Sequence, residues 1–230
     1  MEIYGLQKLT LLDYPGKVAC TIFTGGCNLR CPFCHNASLI TGAQGGGTIG
    51  EKEVFAFLAK RQGVLDGVCI SGGEPLLQGD LTEFLRQVRS LGYLIKLDTN
   101  GCYPGRLKEL VAQKLVDYVA MDVKSSPERY PQATGTAGFD FSLVSQSIGF
   151  LLLGNVDYEF RTTVVGGLHD AEILRKTARA IRGAKRYFLQ QYVHAAGVTG
   201  DGLFAFSDND MRMFLDIVSP YVQTAALRGV

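Results

Sequence analysis

Gly25-Gly26-Cys27-Asn28-Leu29-Arg30-Cys31-Pro32-Phe33-Cys34-His35-Asn36 is the stretch around which the chain is organised. Three of the six cysteines lie in it, spaced C-x3-C-x2-C across eight residues. The preceding Val18-Ala19-Cys20-Thr21-Ile22-Phe23 reads as a buried strand, which puts the cysteines on the loop that leaves it. Pro32 steers Cys31 away from helical geometry, and Gly25 and Gly26 let the backbone turn tightly. Three thiolates on so short a loop can grip a cluster of soft metal and leave one metal position open. The alternative is zinc on Cys27, Cys31, Cys34 and His35, but adjacent Cys34 and His35 chelate awkwardly and no second knuckle follows. Disulfides are disfavoured, because three thiols cannot pair among themselves and no secretion signal precedes them.

Working outward, 230 residues can bury a substantial core, and nothing marks a boundary, so one domain over 1–230 is expected. The longest apolar run, Ile148-Gly149-Phe150-Leu151-Leu152-Leu153, is far too short to span a bilayer. Met1-Glu2-Ile3-Tyr4 carries no signal-peptide pattern, which points to the cytoplasm, where thiols remain reduced. A formal net charge of +1 without a basic run argues against nucleic acid and anionic membrane as partners. Gly42-Ala43-Gln44-Gly45-Gly46-Gly47 is a flexible loop rather than a phosphate cradle, since no Lys-Ser/Thr follows it.

Strand and helix patterns alternate along the rest of the chain. Apolar periodicity predicts helices over 51–62, 80–91, 106–115, 142–153, 171–181 and 208–218. Asp80 is the expected N-cap of the second, with Glu83 at capping-box spacing. After the hairpin-like opening and the first strand, short apolar runs predict strands over 67–70, 93–97, 118–121, 158–164 and 187–192. Such alternation implies right-handed crossovers and a parallel sheet. The expected fold is α/β, a partial (β/α)6 TIM-like barrel, since eight units would need more residues than remain.

Polar motifs fall where those strands end. Gly72 and Gly73 allow close backbone approach, and Glu74-Pro75 makes a rigid acidic turn; an ordinary strand-to-helix turn is the plain alternative. Asp98 and Asp122 end neighbouring strands, where like charges repel unless a cation or proton intervenes, although either could simply cap a helix. Arg161 leaves a mostly apolar strand, where an unpaired guanidinium is costly, so a ligand or a structural salt bridge must meet it. Cys20 and Cys69 sit in apolar strands as small core residues, whereas Cys102 lies near the rim and could be reactive. His169, beside Asp170 at a helix start, reads as structural, and His35 as hydrogen-bonded within its own loop.

C-x3-C-x2-C with an aromatic residue before the last cysteine resembles the radical S-adenosylmethionine (SAM) enzymes. The opening Gly5-Leu6-Gln7-Lys8-Leu9-Thr10-Leu11-Leu12-Asp13-Tyr14-Pro15-Gly16-Lys17, with Cys34-His35-Asn36, resembles activating enzymes of glycyl-radical proteins, most of all the longer anaerobic ribonucleoside-triphosphate reductase activating proteins. The resemblance implies a [4Fe–4S] cluster on Cys27, Cys31 and Cys34. It also implies SAM bound through its amino group by the turn at Gly72, Gly73, Glu74 and Pro75, with the backbone of Phe33 near adenine. A monovalent cation would sit between Asp98 and Asp122, aided by the carbonyls of Thr99 and Ala120. Lys124 and Arg161 would reach the carboxylate or ribose, and Gln191 or the displaced His194 the adenine or ribose. By the same resemblance, an electron from a flavodoxin or ferredoxin cleaves SAM, and the 5′-deoxyadenosyl radical takes hydrogen from a glycine of the partner enzyme. The alternatives are a small-molecule radical SAM synthase of deazaguanine-forming type, or activation of pyruvate formate-lyase.

Overall fold

The computed structural model describes residues 1–37, 47–194, 198 and 200–230; most of the predicted glycine-rich loop, 42–46, lies outside the described residues. The strands are β1 Ile3–Thr10, β2 Ala19–Thr24, β3 Gly67–Gly72, β4 Leu94–Thr99, β5 Tyr118–Asp122, β6 Asp157–Val164, β7 Tyr187–Gln191 and β8 Ala225–Arg228. They form an eight-stranded sheet in chain order. The helices are α1 Glu51–Arg61, α2 Leu81–Ser90, α3 Pro104–Ala112, α4 Tyr130–Thr134, α5 Phe141–Leu152, α6 Ala171–Ala180 and α7 Asp208–Val218. Among the described residues no helix is long and apolar enough to cross a membrane.

The chain gathers into two compact units. The first comprises the described part of 1–28, 38–99 and 105–119. In it β1 runs antiparallel to β2, while β2, β3 and β4 run parallel, in register from Ala19↔Gly67 and Gly67↔Leu94. Ile22, Ile70 and Leu97 are fully buried, as strands covered on both faces require. Helix α2 buries Leu81, Phe84, Leu85 and Val88, the i, i+3, i+4, i+7 stripe of an amphipathic helix. The second unit comprises 29–37, 100–104 and the described part of 120–230. There β6, β7 and β8 are parallel, with Phe160↔Tyr187 and Tyr187↔Ala225 in register. Its core holds Tyr130, Ile148, Leu151, Phe160, Leu174 and Leu189.

Three expectations change. Among the described residues the six expected strands are β2–β7, to which the opening hairpin adds β1 and Ala225–Arg228 adds β8 beside β7. The predicted capping box at Asp80 is not made, although Asp80 is the N-cap residue. Its carboxylate takes the ammonium of Met1, a charged donor that outcompetes a neutral amide, and Glu83 pairs with Arg86 at 3.4 Å. Finally, the predicted loop after β5 contains a short helix, α4, closed by Gly135 in the left-handed region at φ 62°.

Candidate functional site

In the first unit the turn after β3 is sewn to the end of β2, immediately before Cys27. Gly73 N–H donates to the Thr24 carbonyl at 2.9 Å and Glu74 N–H to that of Gly26 at 2.8 Å. A Cβ at Gly73 would stand 1.9 Å from the Gly26 oxygen, and Gly72 has φ +113° with Thr24 backbone 2.4 Å from its would-be Cβ. Here the two glycines accommodate the chain's own backbone. Glu74 is fully buried; Oε1 accepts from Leu76 N–H at 3.1 Å and from Thr99 Oγ1 at 2.9 Å. Pro75 opens the 3₁₀ turn Pro75–Leu77. Higher on the same strands, Ser71 Oγ donates to Asp98 Oδ2 at 3.0 Å, and the buried Lys96 ammonium pairs with Oδ1.

In the second unit Arg30 N–H donates to the Thr134 carbonyl at 2.9 Å, and Cys34 N–H closes a turn on Cys31 at 3.1 Å. A Cβ at Gly135 would meet Arg30 oxygen at 2.1 Å, so α4 ends in a glycine that lets the cysteine loop lie close. Phe33 is buried against Ala133, Val165 and Tyr192, with Cys31 packed beside them. His35 does not bond within its loop as expected. Its Nε2 meets the Val193 carbonyl at 2.7 Å and its ring stacks on Tyr192.

Asp122 is the hub of this unit's charges. Arg161 Nε donates to Oδ1 and Lys124 Nζ to Oδ2, each at 2.8 Å. Burial pushes the Asp122 carboxyl up, but Arg161 and Lys124 outweigh it and hold it well below the usual carboxylate range. For Lys124 burial acts downward, and the charges of Asp122 and then Cys31 more than offset it, leaving its pKa raised. His169 steadies the backbone there. Its Nδ1 accepts from Val165 N–H at 3.0 Å, so the protonated Nε2 donates to the Lys124 carbonyl at 2.9 Å. Tyr192 OH lies 3.2 Å from His194 Nδ1. Gln191 Nε2 donates to the Phe206 carbonyl at 2.6 Å, while its buried Oε1 has no hydrogen-bond partner among the described residues. Ala120 is buried within β5.

None of the six cysteines is in a disulfide: Cys27, Cys31 and Cys34 are half-buried, and Cys20, Cys69 and Cys102 are buried. Burial pushes the Cys20 thiol up to about 12, as for a core residue. Cys102 is likewise a buried residue, its N–H on Asn100 Oδ1 at 3.0 Å. Among the described residues no three His, Cys, Asp or Glu side chains close on a single ion. Three half-buried thiols with no fourth nearby in sequence match the donor chemistry of a cluster with one open iron. The Gln191 oxygen, unpartnered among the described residues, matches a ligand that supplies a donor. An added monovalent cation fits less well, because Asp98 and Asp122 already carry Lys96 and the pair Lys124 and Arg161. Sequence reasoning missed Lys96, although period-2 alternation puts it on the face of Asp98.

The radical SAM superfamily profile matches residues 21–173. The chain belongs to that superfamily, whose members hold a [4Fe–4S] cluster and SAM, and its α/β fold with a mostly parallel sheet is of the partial-barrel class expected. A Methanocaldococcus jannaschii protein, named provisionally as a glycyl-radical enzyme activating enzyme, is 31% identical, covering 99% of this chain and 96% of its own. The pyruvate formate-lyase-activating enzyme of Clostridium pasteurianum is 32% identical over 80% of this chain and 77% of its own. Streptococcus suis SuiB bound to precursor peptide SuiA has a TM-score of 0.71 at 16% identity, covering 91% of this chain and 48% of that one, a likeness of fold.

Proposed function

We infer that this protein is a radical SAM activating enzyme that installs a glycyl radical on a partner enzyme, and that the partner is an anaerobic ribonucleoside-triphosphate reductase. The observation that carries the activase reading is end-to-end similarity to a relative named for glycyl-radical enzyme activation, together with the three-thiol loop. The choice of reductase rests on the resemblance of the opening segment and of Cys34-His35-Asn36. Residues 1–230 act as one radical SAM domain, in the cytoplasm, with a flavodoxin or ferredoxin as electron donor.

Cys27, Cys31 and Cys34 would hold the cluster as thiolates. When bound and reduced, the cluster supplies one electron for reductive cleavage of SAM, which yields the radical that abstracts hydrogen. The protein's own groups bind and orient. Beside Asp122, the cations Lys124 and Arg161 suit the SAM carboxylate. The carboxylates of Glu74 and Asp98 suit its ammonium. The backbone of Gly72, Gly73, Glu74, Pro75 and Thr99 lines that end, and Phe33, Gln191 and His194 serve the adenosine. No side chain acts as acid or base.

The test mixes the anaerobically reconstituted, reduced protein with SAM and the reductase, and reads electron paramagnetic resonance. A doublet that collapses when the partner glycine is deuterated is the expected result. SAM cleavage without any radical on a co-encoded glycyl-radical enzyme, while a small molecule is consumed, overturns the activase reading in favour of a synthase.

A further inference from the structure

Lys96 is buried to 1% exposure in the middle of β4, where an apolar residue would be cheaper to fold. Its register partner on β3 is Cys69, and the ammonium stands 3.7 Å from that sulfur. Two residues on, and therefore on the same face of the strand, Asp98 receives both the Lys96 ammonium and the Ser71 hydroxyl. The carboxylate at the strand end thus comes with its own countercharge, tethered by the chain. Asp122, the other carboxylate for which an added cation was expected, is held likewise by Lys124 and Arg161.

We propose that Lys96 is a built-in cation: a positioning residue that keeps Asp98 ionised and oriented, so that SAM binds without a diffusible monovalent cation. The inference rests on the radical SAM reading of the chain. An ammonium carries the charge of Na+ or K+ but loses no translational freedom when the site forms, because the fold has already placed it. A half-buried carboxylate stripped of it gains by taking up a proton or recruiting an ion from solution.

The experiment measures SAM affinity by equilibrium dialysis on the cluster-loaded full chain in NaCl, KCl or N-methyl-D-glucamine chloride. The wild type is expected to bind alike in all three. Lys96→Met should bind at least about tenfold more weakly in the glucamine salt and regain most of the loss in Na+ or K+. Thermal melting of the unloaded chain gives a readout independent of SAM: Lys96→Met should be raised by Na+ or K+, and the wild type should not respond. Lys96→Arg should behave as the wild type. The proposal is overturned if wild-type affinity drops in the glucamine salt, or if Lys96→Met binds as the wild type in every salt. A Lys96→Met chain that fails to fold leaves the wild-type salt comparison to decide. No SAM binding in any salt counts against the radical SAM activity itself, and the wild-type melts then decide about Lys96.

Discussion

His169 is gripped at both ring nitrogens, one accepting from Val165 and the other donating to Lys124, an arrangement open only to the neutral ring. Burial lowers its pKa, and the hydrogen bond to the Lys124 carbonyl only partly opposes this. The unfolded chain, near the ordinary value of about 6.5, therefore binds more protons between the two pKa values. This contribution to stability is present above about pH 6.5 and is lost as pH falls toward the folded value. Urea unfolding at pH 7.5 and 5.5 should show a larger acid loss for the wild type than for His169→Gln; equal losses would remove the titration from the account. At this scale the sequence was informative about residue type but not about partner. An Asp122 beside a Lys124 was visible as a pair, whereas Arg161 comes from 39 residues away. Lys96 sat in plain view within an apolar strand, yet its meaning depended on Cys69 and Asp98 sharing its face.

The central strands and the amphipathic helices were legible because their periodicity is their packing: α2 and α7 lie where their apolar stripes place them. Strand β8 was not, because Ala225–Arg228 lacks β-branched or aromatic residues and forms through its partner β7. What locks it is Arg228, whose guanidinium bonds both oxygens of the buried Glu159 at 2.6 and 2.8 Å and lies 3.5 Å over the Phe188 ring. Arg228→Ala takes two charge-assisted hydrogen bonds from that carboxylate, and the expected loss is about 1.5–3 kcal/mol by chemical denaturation. A loss under about 1 kcal/mol would mean the pair is solvated and β8 is held by its backbone alone. The turn after β3 makes a second test. Gly73→Ala brings a methyl against the Gly26 carbonyl, which cannot swing away as a side chain would. The turn must shift, with a stability loss of about 1–3 kcal/mol and loss of SAM binding in dialysis. Retained affinity would show that the turn does not place SAM.

For the whole molecule, the sequence declared the fold class and the three thiols, but a partner protein leaves no comparable mark, since neither a basic run nor a net charge of +1 selects one. Ligand binding does have a whole-chain consequence. Anything that binds only the folded state stabilises it, by about 2.7 kcal/mol at one hundred times its dissociation constant. For a chain of this size each kcal/mol moves the melting temperature by about 2–4 °C, so saturating SAM should raise that of the cluster-loaded protein by about 5–10 °C. Cys31 is only half-buried and in no disulfide, so Cys31→Ala should fold, with an unloaded melting temperature close to the wild type's. It should nevertheless fail to load about four irons per chain and should show no shift with SAM. If Cys31→Ala melts like the wild type and still gains the full SAM shift, SAM is held by the polypeptide alone, and the three-thiol loop has some other use.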